Sequence, residues 1–171
     1  MHMNRINPRR GPAGYALLEA LVAVIVASVG FIGAARMQTL GMTLSNSAQS
    51  RQKATLLAYQ MTDRIRANRL GVDFGAYSVD PASDLTAGDA TCLATGCSPT
   101  QLAVADMSQW AAEVAATLPS GVGKVCIDST PEDGAANLPA CDAVGNIIAV
   151  KIWWTDNVAA TRFVTMVRPG L

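Results

Sequence analysis

The chain has 171 residues, and its 13 basic and 13 acidic side chains give a formal net charge of zero. This length predicts one domain with an appendage. The balanced charge gives no support for a nucleic-acid partner. The only histidine is His2, so the rest of the chain cannot build a Ser/His/Asp triad, a Cys/His pair or a histidine-containing zinc site. We therefore predict no enzymatic activity, no cofactor and no metal site.

The most distinctive stretch runs from Tyr15 to Ala35, where Glu19 is the only charged residue and proline is absent. About 20 helical residues span roughly 30 Å, the thickness of a bilayer core. Three arginines and no acid precede the stretch, which predicts a cytoplasmic N-terminus. Because a charge in hydrocarbon costs several kcal/mol, Glu19 requires a partner.

The residues around Glu19 carry a family resemblance. Gly14, an aromatic residue at Tyr15, the pair Leu17-Leu18 and then Glu19 follow a short basic leader. This pattern resembles the class III signal peptide of type IV prepilins and the related pseudopilins. Position 15 is usually Phe in that family, and a helix-kinking proline often stands about where this chain has Arg36.

The resemblance implies how the N-terminus is processed. A membrane-bound prepilin peptidase would cut between Gly14 and Tyr15 on the cytoplasmic side and methylate the new N-terminus. The amine of one subunit would then lie near Glu19 of a neighbour and neutralise it. Loss of residues 1–14 would remove three arginines and no acid, leaving a formal charge of −3.

The alternative for this region is an ordinary signal peptide or a simple anchor. An ordinary signal peptide has its small-residue cleavage site after the apolar run. Such a cleavage site is matched only weakly here, by Ala27-Ser28-Val29 or by Gly33-Ala34-Ala35. The agreement of glycine, aromatic, Leu-Leu, Glu and apolar run favours the prepilin interpretation.

Helical character is predicted to continue to about Arg69, with Gly71 as a stop signal. Leu57, Met61 and Ile65 form an apolar stripe that should pack on a globular head. We expect the arginines near the helix end to form a solvated face favoured by the helix dipole. Residues 58–69, AYQMTDRIRANR, resemble the end of the long helix in PilV-type minor pilins.

Four cysteines, Cys92, Cys97, Cys126 and Cys141, lie in the C-terminal half. The predicted orientation places this half outside the cytoplasm, where disulfides persist. Three connectivities are possible. We favour Cys92–Cys97 and Cys126–Cys141, because nearest neighbours close local loops. A four-thiolate zinc site is the rival, and the spacings lack its paired short knuckles.

The head is predicted to begin with a loop over residues 71–98, followed by a helix. Ser98-Pro99-Thr100-Gln101 forms a capping box with proline at the first helical position. The helix should present an apolar face to a core, made of Leu102, Met107, Trp110, Ala111, Val114 and Leu118. Pro119-Ser120-Gly121 should end it.

Three alternating runs predict antiparallel strands over Val122–Asp128, Ile147–Thr155 and Arg162–Val167, the last two joined by a turn at Asp156-Asn157. We expect Ile148, Val150, Ile152 and Trp154 to share one face. The fold class is therefore α+β, a long N-terminal helix packed on a small antiparallel sheet. This is also the architecture of the type IV pilin fold that the resemblance implies.

Two weaker patterns resemble ligand-binding motifs but do not match them. Gly121-Val122-Gly123-Lys124 lacks the glycine spacing of a phosphate-binding loop and precedes a strand. Asp128, Glu132 and Asp133 match no EF-hand spacing, so we expect a solvated loop rather than a calcium site.

These observations divide the chain into a leader (1–14), a membrane or filament-core helix (15–35), an amphipathic helical half (36–70) and an extracytoplasmic head (71–171). The resemblance implies a minor pilin of the type IV pilus, held as a single-pass inner-membrane protein with a periplasmic head before it enters the filament. The implied partners are prepilin peptidase, other major and minor pilins and the inner-membrane assembly machinery. The alternatives are a minor pseudopilin of type II secretion and, from another class, a membrane-anchored periplasmic binding module.

Overall fold

A computed structural model describes residues 13–78, 92, 96–156 and 159–168, except for the side chains of residues 13 and 14. The leader residues 1–12, most of the loop around Pro81 and Asn157 of the predicted turn lie outside the described residues. By its internal contacts the chain divides into two units, one ending at Leu44 and the other comprising Ser45–Leu171.

The first unit is the N-terminal part of helix α1, which spans Ala13–Ala67. No proline interrupts this sequence, and serine and threonine hydroxyls bond to carbonyls of the preceding turn, as Ser28 Oγ does to Ile25 O at 2.7 Å. The apolar side chains of this unit are exposed, including Leu17 at 78% and Phe31 at 76%. Nothing in the described first unit therefore buries this apolar surface.

The second unit, the head, has its own core. The C-terminal part of α1 contributes the predicted stripe of Leu57, Met61 and Ile65, and all three side chains are buried. A short helix α2, Arg69–Asp73, follows, and helix α3 spans Pro99–Thr117. The capping box of α3 is confirmed: Ser98 Oγ accepts a hydrogen bond from Gln101 N at 3.3 Å, and Gln101 Oε1 accepts one from Ser98 N at 3.0 Å.

The sheet contains three antiparallel strands in the order β1-β2-β3, with β1 at Val122–Ile127, β2 at Ile148–Asp156 and β3 at Ala159–Val167. Ile152 of β2 pairs with Gly123 on one side and with Phe163 on the other. The predicted core face is confirmed, because Ile148, Val150, Ile152 and Trp154 all join the helices in the buried cluster. A long helix with a small antiparallel sheet is the predicted α+β fold.

Trp110 of α3 fixes how closely the sheet and helices approach. Its indole Nε1 donates a hydrogen bond to Leu57 O on α1 at 2.8 Å, and its ring lies against Gly123 of β1. A Cβ added to Gly123 would come within 2.6 Å of Trp110 Cζ3. Gly123 is therefore required by close packing, a role that the isolated Gly-Val-Gly-Lys pattern did not reveal.

The structure corrects three local predictions. Helix α1 ends at Ala67, two residues before the predicted end, and Gly71 lies within α2 rather than stopping a helix. Asn68 causes the break, because its side chain caps α2 by accepting from Gly71 N at 3.1 Å. Leu102 is only partly buried, and its neighbour Ala103 occupies the core position instead.

A larger difference from the sequence-based expectation concerns the outer face of the sheet. All seven residues from Ile148 to Trp154 are buried, so β2 is covered on both faces. The outer cover is the segment between β1 and β2, residues 128–147, which we call the outer loop. Asp128 is completely buried there, so the prediction of a solvated acidic loop is wrong for this residue.

Candidate functional site

Glu19 is the first candidate functional residue, and α1 places it on the surface of the apolar unit. One face of the helix carries Glu19 together with Tyr15, Leu18, Val22 and Val26, following the four-residue repeat of a helix. Tyr15 is 76% exposed and Leu18 is 65% exposed. Within the described part of the chain, Glu19 has no hydrogen bond and no ion pair. Any partner of this carboxylate therefore lies outside the described residues.

The helix that carries Glu19 satisfies the length and composition of a membrane span. Among the described residues, one such helix occurs, near the N-terminus, and none of its apolar window is buried. Length and composition alone are weak evidence, because a signal sequence passes the same test. The apolar N-terminal helix nevertheless fits a single-pass membrane anchor.

A second cluster forms where the segment resembling PilV-type pilins ends. Asn68 Nδ2 donates to Pro99 O at 2.7 Å and to the Tyr77 hydroxyl at 3.2 Å, and Tyr77 donates to Asp106 Oδ2 at 3.2 Å. Arg64 completes the cluster with an ion pair to Asp106 at 3.6 Å. These contacts tie the end of α1 to α2 and α3. Arg64 is therefore a packing residue, which corrects the expectation of a uniformly solvated arginine face.

Two groups of this cluster, Tyr77 and Asp106, have raised pKa values. Burial raises the pKa of Tyr77 to about 12, opposed by the hydrogen bond from Asn68. Burial also raises the pKa of Asp106, against the opposing effects of the Tyr77 hydroxyl and Arg64. The cluster is tightly connected and offers no open nucleophile or base, so its geometry indicates a structural role.

A buried lysine holds the outer loop against the sheet. Lys151 of β2 is fully buried, and its ammonium forms an ion pair with the equally buried Asp128. The same nitrogen donates to Pro139 O at 2.8 Å and to Asp133 Oδ1 at 3.2 Å. Among the described residues, Asp128 Oδ2 has no other hydrogen-bond donor, so it depends on this ammonium. Removing Lys151 would leave Asp128 buried and uncompensated, whereas removing Asp128 would leave the Lys151 ammonium with Asp133 as its remaining carboxylate partner.

The rest of the outer loop is shaped around this centre. Gly134 has a φ of +86°, and a Cβ there would lie 2.4 Å from Pro139 O, the carbonyl that accepts from Lys151. Asp142 binds the hydroxyl and the backbone N–H of Ser129 and the N–H of Val144, and these hydrogen bonds lower its pKa. The pKa of Asp133 is lowered by its hydrogen bonds from Thr130 and then Lys151.

The four cysteines form two disulfides in the structure, Cys92–Cys97 and Cys126–Cys141. The second bond ties β1 to the outer loop beside the Asp128–Lys151 pair. Cys126, Asp128 and Cys141 lie close enough together to suggest a metal site by distance alone. Both cysteine sulfurs are committed to the disulfide, so this group does not provide the thiolate ligands that zinc requires.

Two of these residues were not predicted as parts of a site. The strand pattern placed Lys151 on the face of β2 opposite Ile148 and Ile152, and nothing in that alternation shows whether this second face is covered. Tyr77 lay in a segment predicted to be an irregular loop. The burial of Lys151 had one signal in the sequence: the lysine lies in the middle of an otherwise apolar strand, and such strands are usually covered on both faces.

One family of known proteins matches the chain. The sequence model of the Tt1218-like family, described as type IV pilin Tt1218, matches residues 36–108. This range covers the α1 stripe, the Asn68 cluster and the first half of α3. Comparisons with curated proteins and with solved structures gave no significant match.

The matched segment and the observed architecture agree. Residues 36–108 supply the helices against which the antiparallel sheet packs, and the exposed apolar unit precedes them. Pilins are structural proteins that associate with other pilins, and such association would cover an apolar helix that the described residues leave exposed. The family match and the architecture together support a type IV pilin.

Proposed function

We propose that this chain is a type IV pilin and, within that family, a minor, PilV-type subunit of the type IV pilus. It is made as a prepilin, cut by prepilin peptidase between Gly14 and Tyr15, methylated on the new N-terminus and held in the inner membrane by residues 15–35. The N-terminus faces the cytoplasm and the head faces the periplasm until the assembly machinery moves the subunit into the filament, where it contributes to or primes assembly. It acts by association and not by catalysis.

The observation that carries the proposal is the position of Glu19 on an exposed apolar helix, where no other described residue pairs with it. An isolated carboxylate costs several kcal/mol in hydrocarbon, less near the end of a span. A positive amine on the N-terminus of a neighbouring subunit would offset this cost in a packed filament. The same contact would set the axial stagger between the two subunits, because charge pairing favours one register over others.

The exposed side chains of the first unit support burial against other pilins. Its apolar residues are distributed widely around the helix: Leu18, Val24 and Val26 lie on different sides at 3.6 residues per turn and are 65–68% exposed. A helix that is apolar on all sides belongs in a membrane or in the interior of an assembly. Membrane and filament core present similar apolar surroundings, so transfer between them needs little change in hydrophobic free energy.

Processing is tested by co-expressing the full chain with a prepilin peptidase and measuring intact mass and N-terminal sequence. The expected product begins at methylated Tyr15. A chain that keeps Met1, or one cut after the apolar run, would contradict the prepilin assignment. The latter product would be expected of an ordinary secreted protein, and the former of a simple membrane-anchored binding module.

Assembly is tested with Glu19→Leu, compared with Ser28→Leu as a matched control. Both substitutions place leucine on the apolar unit, but only the first removes the carboxylate. We expect Glu19→Leu to be cleaved normally and to be lost from sheared pili, whereas Ser28→Leu is incorporated. Normal incorporation of Glu19→Leu would overturn the role of the carboxylate.

The pilus is distinguished from a type II secretion pseudopilus by its partners. Pull-down of the membrane-embedded chain is expected to recover major and minor pilins rather than pseudopilins. The resemblance of residues 58–69 to PilV-type pilins favours the pilus. Recovery of pseudopilins alone would reassign the subunit to the secretion machine while preserving the pilin class.

A further inference from the structure

The contact between Lys151 and Asp128 has a different setting from the ion pairs that the head's arginines form. Both side chains are completely buried, whereas the ion pairs of Arg64, Arg66 and Arg162 all reach solvent. Lys151 Nζ touches Asp128 Oδ2. An amine and a carboxyl group that touch in a site without solvent access are the two reactants of an amide bond. Fixed contact between reactants removes much of the entropic barrier to such a step.

Backbone hydrogen bonds fix the positions from which the two side chains extend. Lys151 lies in the middle of β2, paired with Lys124 of β1 and with Val164 of β3. Asp128 directly follows β1, and its N–H donates to Ile147 O at 3.1 Å, next to the start of β2. The fold therefore brings the amine and the carboxyl group together before any reaction between them.

The two oxygens of the Asp128 carboxyl group have different surroundings. Oδ1 accepts hydrogen bonds from Thr130 N at 3.0 Å and from the Thr130 hydroxyl at 3.5 Å. Oδ2 contacts the Lys151 ammonium and accepts no hydrogen bond from any other part of the chain that the structure describes. Addition of an amine to a carboxyl carbon places negative charge on one oxygen and expels the other. The Thr130 N–H is positioned to stabilise that charge on Oδ1, which leaves Oδ2 as the departing oxygen.

A second carboxylate, that of Asp133, lies beside the Lys151 nitrogen. Asp133 Oδ1 is 3.2 Å from Nζ, and its Oδ2 accepts from the Thr130 hydroxyl at 2.9 Å. These hydrogen bonds lower the pKa of Asp133, so the group is a carboxylate that can accept a proton. Its side chain is 49% exposed and connects the buried nitrogen to solvent. Asp133 therefore has the position of a general base and acid for proton transfer at Nζ.

We propose that Lys151 and Asp128 condense in the folded head to form an amide cross-link between β2 and the outer loop. The ammonium first gives one proton to Asp128 Oδ2, and the Nζ lone pair then adds to the side-chain carbon Cγ. Asp133 takes a second proton from Nζ and passes it to Oδ2, which leaves as water. One Nζ–Cγ bond forms, one Cγ–Oδ2 bond breaks, and the step needs no oxidant, metal or cofactor.

The surroundings of the pair also suit the amide product. The amide oxygen would be Oδ1, which keeps the hydrogen bond from Thr130 N. The amide N–H would donate to Pro139 O, which lies 2.8 Å from Nζ. Condensation removes two buried charges, whose desolvation is costly. It also removes the positive charge that lies opposite Lys124 in the strand register, where like charges are destabilising.

The cross-link would fasten the outer loop to β2 by a bond that reduction of Cys126–Cys141 cannot release. Because the reaction consumes its own side chains, each chain reacts once, which is self-modification and not enzymatic turnover. The inference does not depend on the minor-pilin role, since all reacting groups belong to the head.

The test is peptide mass spectrometry of the full chain. The protein is purified in detergent, incubated in the folded state, then denatured, reduced, alkylated and digested with trypsin, which cuts after a lysine whose amine is free. An unreacted chain gives the peptide 125–151. We expect instead the peptide 125–162, lighter by one water molecule and uncut after Lys151. This region is remote from the leader, so the result is independent of N-terminal processing.

Two results would overturn the cross-link. The first is a peptide 125–151 of full mass after prolonged incubation. The second is a peptide that has lost water but still ends at Lys151, because an aspartate followed by glycine, here Asp133-Gly134, can lose water by forming a succinimide. Lys151→Arg keeps a positive charge without a reactive amine, and we expect no loss of water at this site. Persistent loss of water in that variant would also contradict the proposal.

Asp133→Asn tests the proton route in a variant that keeps both reactants. We expect the fraction cross-linked at a fixed early time to fall at least about tenfold. Glu132→Gln is the matched control, because it removes a neighbouring carboxylate that pairs with Arg162 and not with Lys151. It should change the fraction by less than about twofold, since it leaves the contacts of Lys151 in place. Both side chains are substantially exposed, so each variant should fold, as thermal unfolding would verify. Equal fractions for Asp133→Asn and Glu132→Gln would overturn the role of Asp133.

Discussion

Two charged residues in apolar surroundings, Glu19 and Lys151, show how the two units of this protein differ. Lys151 is completely buried in the head, and the chain itself supplies its ion pair and its carbonyl acceptors. Glu19 lies on an apolar helix, and no described residue pairs with it. The head therefore satisfies its buried charge with its own residues, whereas no described residue does so for Glu19. The proposed assembly role assigns the partner of Glu19 to another subunit.

The largest expected effect is that of Lys151→Met on the head. The substitution leaves Asp128 buried without its cation, so we expect a loss of about 3–5 kcal/mol in the free energy of unfolding. Urea unfolding of residues 45–171 measures it. Lys124→Met is the matched control, because Lys124 lies opposite Lys151 on β1, is partly exposed and has no ion pair among the described residues.

Lys124→Met should change the free energy by about 0.5 kcal/mol or less. Replacing both buried charges, with Lys151→Met and Asp128→Leu together, should recover a large part of the loss, because no charge then remains unpaired. Equal losses of unfolding free energy for Lys151→Met and Lys124→Met would show that the head does not depend on its buried ion pair.

The Cys126–Cys141 disulfide should be the next largest contribution. Its sequence separation of 15 predicts a stabilisation of about 3 kcal/mol from restricting the unfolded chain. Cys92–Cys97, with a separation of 5, predicts about 2 kcal/mol by the same relation. Paired serine substitutions at each bond, compared by urea unfolding, test this order. The reverse order would indicate that the outer loop is held by Lys151 and Arg162 without help from the disulfide.

Gly123→Ala tests the close packing between Trp110 and the sheet. The added methyl group meets the indole ring, so we expect a loss of about 1–3 kcal/mol in the free energy of unfolding. In a Trp110→Phe background the smaller ring should accommodate the methyl group. The loss of unfolding free energy in the double variant should therefore be smaller than the sum of the losses in the two single variants. Fully additive losses would show that the two residues do not meet.

Tyr77→Phe should change how stability depends on pH. The folded pKa of Tyr77 is raised from 10.0 to about 12, so between these values the folded chain keeps a proton that the unfolded chain releases. The stability of the wild-type head should therefore fall as pH rises through this range. Tyr77→Phe should fall less steeply in the same buffers, as thermal unfolding at a series of pH values would measure. Parallel curves would place the Tyr77 hydroxyl in a more exposed setting than the structure gives it.

Glu19→Leu should have the smallest effect on the stability of the head. Glu19→Leu should leave the unfolding free energy of the head within about 0.5 kcal/mol of the wild type, since the carboxylate touches no described residue of the head. Chemical unfolding of the full chain in detergent, followed by Trp fluorescence, measures this directly because Trp110, Trp153 and Trp154 all lie in the head. A large shift would mean that Glu19 supports the fold and would weaken its assignment to assembly.

The sequence by itself determined the elements whose signals are local. The uninterrupted apolar run predicted the long helix, the Leu57-Met61-Ile65 spacing predicted the stripe that the head buries, and Ser98 with Gln101 predicted the start of α3. Alternation along residues 148–154 identified the core face of β2, because that face follows directly from the two-residue repeat of a strand.

Only the tertiary structure decided what covers each surface. Burial of Lys151 depends on the outer loop folding over β2, and the need for glycine at position 123 depends on a ring that arrives from α3. The break at Asn68 depends on acceptors from Tyr77 and Pro99, which are distant in sequence. These contacts join residues that no local period relates. The sequence predicted a helix stop at Gly71 and did not predict what covers Lys151, whereas the folded chain has a helix cap and a buried ion pair at these places.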